Sequence, residues 1–199
     1  MEEQVFSAEY WDNRYREKNT PWQLNTHSPA FERWFLEVNP PKNSRILIPG
    51  GGNGLEALWL ADQGYTNITV VDWSELVCEE QKARHKGKSI AWVCADFFGL
   101  KEQFDLILEQ TFFCALPPSM RSAYFAKLPE LLAPDGMLLG VMFRELPEGG
   151  PPFHCGKKDL EAGFGKYFST VRIEACTYSI GPRQGNEWWV EVEGPLDRL

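Results

Sequence analysis

The chain has 199 residues and carries 28 acidic against 20 basic side chains, which gives a formal net charge of −8 at pH 7. This length fits one compact domain, and a hydrophobic fraction of 43% is sufficient for a buried core. An acidic chain repels phosphate backbones and anionic lipid, so the composition argues against nucleic-acid and membrane binding. It favours a small-molecule partner.

The N-terminal sequence MEEQVFSAEYW lacks the basic start and apolar stretch of a signal peptide, and no apolar run is long enough to span a bilayer. We therefore expect a cytoplasmic protein, as a monomer rather than an oligomer. The five cysteines form no Cys-x-x-Cys pair, and the three histidines share no metal-ligand spacing. We predict neither a metal site nor a disulfide framework.

Short apolar or β-branched runs recur along the chain, and the first five are separated by stretches of helical character. The predicted strands lie at 45–48, 68–72, 90–94, 104–108, 137–143, 171–178 and 188–193, and amphipathic helices are predicted at 55–62 and 120–132. Strands that alternate with helices indicate a mainly parallel sheet with helices on both faces. The last two runs are separated only by the turn at 181–187, which predicts an antiparallel hairpin at one edge. The expected fold is thus α/β and Rossmann-like, with seven mostly parallel strands and an antiparallel C-terminal hairpin.

The sequence IPGGGNGLEAL, at 48–58, places four glycines between the end of a strand and the start of a helix. Glycines at such a turn let a ligand approach the backbone and the helix N-terminal amides. The next strand ends in Asp72, whose carboxylate can accept both hydroxyls of a ribose. Together these residues predict a nucleoside-binding site. Because Gly52, Gly54 and Ala57 also satisfy G-x-G-x-x-A, a dinucleotide cofactor remains an alternative to S-adenosylmethionine.

Three further features favour S-adenosylmethionine. The third strand is followed by Asp96 and Phe97, which can accept from an adenine amine and cover the ring. The fourth strand is followed by the polar pair Glu109 and Gln110, at the edge where ligands of doubly wound folds bind. A Pro-Asp-Gly turn then precedes the fifth strand, and a hairpin closes the chain. This order suits a methyltransferase better than a dehydrogenase.

Several motifs in order resemble the thiopurine S-methyltransferase superfamily, and especially its halide and thiol methyltransferase branch. They are YWDNRY and TPW near the start, IPGGGNGLEALWLADQGY, VVDWSE, EQTFFCAL, LLAPDG and EGGPPF. The resemblance covers nearly the whole chain. It implies a class I methyltransferase fold in a single domain, 1–199, that binds S-adenosylmethionine, with residues 1–40 as a helical lid over the cofactor.

The resemblance also implies roles for individual residues. Trp11 and Trp22 would cover the methionine end and the sulfonium by cation–π contact. Gly50 would lie against the methionine portion, with Asp72 on the ribose. The remaining cofactor-binding residues would be Gly52, Trp73, Asp96, Phe97 and Gln110. The glutamine stands where the thiopurine enzymes have an arginine, which favours the branch with smaller substrates.

The reaction expected from this resemblance is transfer of a methyl group to a small soft nucleophile: a thiol, hydrosulfide, thiocyanate, halide or thiopurine-like thiol. Candidates for the acceptor wall are Tyr15, Phe112, Cys114 and Phe153, and no residue is assigned as an acid or base. Two alternatives remain open. One is an NAD(P)-dependent oxidoreductase that uses the same glycine loop, and the other is a non-catalytic cofactor-binding protein.

Overall fold

The computed structural model describes residues 6–196, and the first five residues of the expected lid lie outside this part. Within it, helices and strands alternate until the last two strands. In chain order the elements are α1 (Ala8–Arg16), α2 (Pro29–Val38), β1 (Ile46–Pro49), α3 (Leu55–Asp62), β2 (Ile68–Asp72), α4 (Glu75–Arg84), β3 (Ile90–Cys94), β4 (Phe104–Gln110), α5 (Arg121–Leu131), β5 (Leu132–Phe143), α6 (Lys157–Phe164), β6 (Phe168–Ala175) and β7 (Glu187–Pro195).

The strands form one seven-stranded sheet in the order β3-β2-β1-β4-β5-β7-β6. Strands β1 to β5 pair in parallel, whereas β7 pairs antiparallel with both β5 and β6. The expected fold class is confirmed, including the hairpin at one edge. The chain leaves β1 in one direction for β2 and β3 and returns to its other side for β4. The strand order therefore reverses between β1 and β4, where ligands bind in doubly wound sheets.

Alternating side chains of β1 point into two separate hydrophobic cores, one on each face of the sheet. Ile46 and Ile48 pack with the apolar faces of α2 and α3. Leu47 packs with α5 and α6 on the opposite face. Among the helices of residues 6–196, none has the length and apolar character that a bilayer crossing requires.

The observed boundaries differ from the predicted ones mainly at β5, which begins at Leu132 instead of 137. Leu132 pairs with Phe104 and Met137 pairs with Leu106, so the Pro-Asp-Gly turn projects from within the strand. The strand predicted at 171–178 lies at Phe168–Ala175, because its first residue pairs with the end of β7. The turn at 181–187 contains a single 3₁₀ turn, Gly181–Arg183, where the sequence predicted no helix.

Candidate functional site

The carboxyl ends of β1 to β4 border a cavity of about 430 Å³. It brings together most of the predicted site residues. The cavity lining includes Trp11, Tyr15, Trp22, Gly50, Asp72, Trp73, Asp96, Phe97, Phe112 and Cys114. Gly52 and Gln110 line an adjoining cavity of about 60 Å³ around the glycine loop. Phe153 instead lines a small cavity behind Cys114.

The glycine loop needs residues without side chains. Gly50, Gly52 and Gly54 have φ of 57°, 50° and 62°, a left-handed conformation that other residues rarely adopt. A Cβ atom on Gly50 would lie 2.5 Å from Cδ2 of Phe112, and one on Gly52 would lie 2.9 Å from Oη of Tyr15. The missing side chains therefore let Phe112 and Tyr15 pack directly against the loop backbone, and Gly50 and Gly52 still line the cavities.

Asp72 is fixed at the end of β2 by the backbone around it. Its Oδ2 accepts a hydrogen bond from the amide of Gly52 at 2.9 Å, and its Oδ1 accepts one from Ser74, also at 2.9 Å. Burial raises the pKa of this carboxyl, an effect opposed by the backbone hydrogen bonds and increased by the nearby Asp12. Each carboxylate oxygen can accept a second hydrogen bond. The group can thus still receive two hydroxyl donors from the cavity, as a ribose diol requires.

The part of the cavity formed by the residues after β3 suits a flat ring. Asp96 accepts a hydrogen bond from the amide of Phe98 at 3.0 Å, which fixes its side chain in the turn after β3. Phe97 is buried, and its ring centroid lies 5.0 Å from that of Phe112 and 5.7 Å from that of Tyr124. An acceptor oxygen beside a fixed aromatic wall fits an adenine base, so the residues at this end of the cavity fit S-adenosylmethionine.

Helix α1 lies across the cavity and is anchored to α4. Oδ1 of Asp12 accepts hydrogen bonds from Oγ of Ser74 at 2.5 Å and from the amide of Leu76 at 3.3 Å. Trp11 packs edge-to-face on Trp22 with their ring centroids 5.5 Å apart. By contrast, α2 is part of a hydrophobic core. Within residues 6–40, the residues that line the cavity therefore belong to the segment around α1 and Trp22.

The far end of the cavity is formed by sulfur, aromatic and proline side chains and by one buried cation. Cys114 is buried, and its Sγ donates to the carbonyl of Thr111 at 3.1 Å. Burial raises the pKa of this thiol well above its usual range, and the carboxyl of Glu109 adds to the rise. The raised pKa disfavours the thiolate form that a cysteine nucleophile requires.

The buried cation is Arg183, which precedes β7 and which the sequence reasoning did not select. Its Nη2 donates to the carbonyl of Trp22 at 2.7 Å, and its Nη1 lies 3.5 Å from Oε1 of Glu187. The guanidinium carbon lies 5.0 Å from the ring centroid of Phe143. Arg183 also lines the cavity, and its charge partly opposes the rise in the pKa of the Cys114 thiol. An arginine in a polar turn of an acidic chain gives no sequence signal of such a position.

The comparisons with known proteins agree with this geometry. A family model described as thiopurine S-methyltransferase matches residues 6–191. The chain is 32% identical over 187 residues to thiocyanate methyltransferase 1 of Brassica oleracea, and 29% identical over 185 residues to the probable thiol methyltransferase 2 of Arabidopsis thaliana. Each alignment covers 89% of this chain and 81% of the relative.

The fold also matches solved methyltransferases. The structure of Burkholderia thailandensis 1,6-didemethyltoxoflavin-N1-methyltransferase, with bound 1,6-didemethyltoxoflavin and S-adenosylhomocysteine, superposes with a TM-score of 0.72 at 20% identity. The match covers 96% of this chain and 87% of that one. The chain therefore belongs to the thiopurine S-methyltransferase family, whose enzymes take the methyl group from S-adenosylmethionine.

Proposed function

We propose that this S-methyltransferase methylates a small, soft, anionic acceptor: a thiolate, hydrosulfide, thiocyanate or halide. The observation that carries the proposal is one cavity of about 430 Å³ that must hold both reactants and that ends at a single buried arginine. Single-ligand pockets span roughly 300–1,000 Å³, so this cavity leaves room for only a few acceptor atoms beside the cofactor.

The cofactor end of the cavity is assigned to the residues predicted for it. Asp72 accepts from the ribose hydroxyls, and Asp96 with Phe97 holds the adenine. Trp11 and Trp22 present electron-rich ring faces to the positively charged sulfur, and this contact stabilises the cation electrostatically. We assign Gly52 and Gln110, which line the adjoining cavity, to the methionine end. We further propose that the segment from Phe6 through Trp22 is the lid over this site.

The acceptor end acts mainly by positioning and by excluding water. Bound S-adenosylmethionine supplies a methyl group that its sulfonium already activates. Arg183 attracts an anion and holds it against the wall formed by Phe112, Cys114 and Tyr15. The apolar wall replaces water around the anion, which makes the anion a better nucleophile. A halide or thiocyanate needs no base, and a thiol arrives as the thiolate.

The test is a panel of acceptors in two steps. Calorimetry with S-adenosylhomocysteine and NADH first establishes the cofactor, and we expect binding of the former alone. Headspace and chromatographic assays then compare iodide, hydrosulfide, thiocyanate, an aryl thiol and a thiopurine. We expect kcat/KM to be highest for the small anions. A clear preference for the thiopurine would contradict the proposal.

Arg183→Gln sharpens the test because glutamine keeps a polar amide but removes the positive charge. Hydrogen bonds to charged groups contribute about 1.5–3 kcal/mol, so we expect KM for thiocyanate to rise by about 10- to 100-fold. Affinity for S-adenosylhomocysteine should remain within a few-fold of the wild-type value. Arg183→Lys is the matched variant that retains the charge, and it should recover part of the loss. An unchanged KM in both variants would remove Arg183 from the acceptor site.

A further inference from the structure

A second, small cavity lies behind the acceptor wall, with a volume of about 10 Å³. It is lined by Glu109, Thr111, Phe113, Cys114, Met142, Phe143, Phe153, Cys155 and Leu160. Thr111, Cys114 and Phe143 line both this cavity and the large one. A single layer of side chains therefore separates Glu109 from the space assigned to the acceptor.

Glu109 is completely buried near the end of β4 and uses only one of its two oxygens. Oε1 accepts hydrogen bonds from the amides of Phe112 at 2.7 Å and Phe113 at 2.8 Å. Within residues 6–196, Oε2 has no hydrogen-bond partner. A carboxylate in this state is costly, because one of its oxygens is desolvated without compensation.

The two hydrogen bonds hold the turn that forms the acceptor wall. They fix the backbone directly after Thr111, which has a left-handed φ of 61°. They place the ring of Phe112 against Gly50 and set the position of Cys114. The carbonyl of Cys114 in turn accepts from the amide of Phe153 at 2.6 Å. The carboxyl of Glu109 thus supports both the acceptor wall and the loop at 150–153.

The titratable groups that face Glu109 are uncharged. They are Tyr124 from α5, Cys114 from the turn after β4 and Cys155 from the segment before α6. Burial raises the pKa of all three. No cation among residues 6–196 forms an ion pair with Glu109, and burial raises its own pKa from 4.5 to about 7. Across the thin apolar wall, an ionised Glu109 would repel an anion in the acceptor space.

We propose that Glu109 is a positioning residue for methyl transfer whose carboxyl group holds the acceptor wall and takes up a proton from solvent when an anionic acceptor binds. The proposal rests on the proposed function, because it requires an anion in the acceptor space. The protonated carboxyl still accepts both amide hydrogen bonds on Oε1 and carries its proton on Oε2. The wall therefore keeps its shape while the charge behind it is removed.

The test measures thiocyanate affinity for the protein saturated with S-adenosylhomocysteine, because this neutral cofactor product prevents turnover and adds no sulfonium charge. Thiocyanate keeps its charge over the range used. For the wild type we expect affinity to fall at least about fivefold between about pH 6 and 8.5, a coupling of the usual size between two sites. Calorimetry in two buffers of different ionisation enthalpy should show proton uptake on binding.

Glu109→Gln keeps the shape and the oxygen acceptor but cannot ionise, so its affinity should vary less than about twofold over the same range. Glu102→Gln is the control, because Glu102 is an exposed carboxyl that lines none of these cavities. It should retain the wild-type pH dependence. Equal pH dependence in the wild type and Glu109→Gln would overturn the proposal.

An infrared difference spectrum between the wild type and Glu109→Gln reads the carboxyl directly and needs no acceptor. We expect a protonated carboxyl band that disappears as the pH rises through about 7. A carboxyl that is already ionised at about pH 5, or still protonated at about pH 9, would overturn the proposal on its own. If thiocyanate fails to bind at any pH, the proposed acceptor class fails, and this titration still decides the ionisation of Glu109.

Discussion

At the scale of single residues, Asp72 combines a structural and a proposed binding role. Its oxygens hold the amides of Gly52 and Ser74, so the carboxylate fixes the glycine loop and the start of α4 together. The same oxygens face the cavity, where the ribose is expected. Because the group is already held in place before a ligand arrives, little conformational freedom is lost on binding.

We predict that Asp72→Ala lowers affinity for S-adenosylhomocysteine about a hundredfold or more, because two hydrogen bonds to a charged group are lost. Isothermal calorimetry measures this directly. Asp72→Asn retains the size of the side chain and one acceptor oxygen. A loss of affinity in this variant would therefore come from the lost ligand contact and not from collapse of the glycine loop. Cys114→Ser is the control at the other end of the cavity and should alter acceptor choice while leaving this affinity unchanged. Retained affinity in Asp72→Ala would contradict the assignment.

A residue of the site can be predicted from the sequence only where its role leaves a short pattern of neighbouring residues in the chain. The glycines and Asp72 were predictable because strand ends and tight turns leave short sequence patterns. Arg183 was not, since it meets Trp22 across 161 residues of chain. Phe153 was selected for the acceptor wall, yet its amide bonds to Cys114 and its ring folds back over Gly150. Such long-range hydrogen bonds have no local sequence pattern.

At the scale of elements, α1 depends on its neighbours for stability. It has nine residues, and none of them is buried. Isolated helices shorter than about 12–15 residues are only marginally stable in water. The contact of Asp12 with the N-terminus of α4 supplies a carboxylate where the helix dipole and free amides favour one. The position of α1 therefore depends on this polar anchor, while the hydrogen bond from Arg183 holds Trp22.

We predict that Asp12→Ala loosens the proposed lid and lowers cofactor affinity about tenfold, consistent with about 0.5–2 kcal/mol for the loss of a capping group. Hydrogen exchange should increase in α1, while α4 keeps its own cap through Oγ of Ser74. Arg16→Gln is the matched control, because Arg16 is exposed and its nitrogen lies 3.7 Å from Asp12. This weak pair should contribute little. Equal exchange in α1 of Asp12→Ala and the wild type would show that the anchor is unimportant.

At the scale of the whole molecule, the fold buries several carboxyls that carry pKa values above their usual range. They are Glu56, Asp72, Glu109 and Glu187, and burial is the largest cause in each. A raised folded-state pKa means that the folded chain binds more protons than the unfolded chain between the two pKa values. Stability from such a group is present at low pH and decreases as pH rises through that window. Asp105 behaves oppositely, because Arg45 lowers its pKa.

The loss of stability with rising pH can be measured at Glu109 alone, because its pKa rises from 4.5 in the unfolded chain to about 7 in the folded chain. At about 1.4 kcal/mol per pKa unit, ionising it costs the fold at most about 3 kcal/mol. We predict that Glu109→Gln gains stability relative to the wild type as pH rises from about 5 to 8, by up to that amount. Urea unfolding of both proteins at matched pH values measures the difference, in which any pH-independent effect of the amide cancels. A difference that stays constant across this range would show that Glu109 is already ionised in the folded chain by about pH 5.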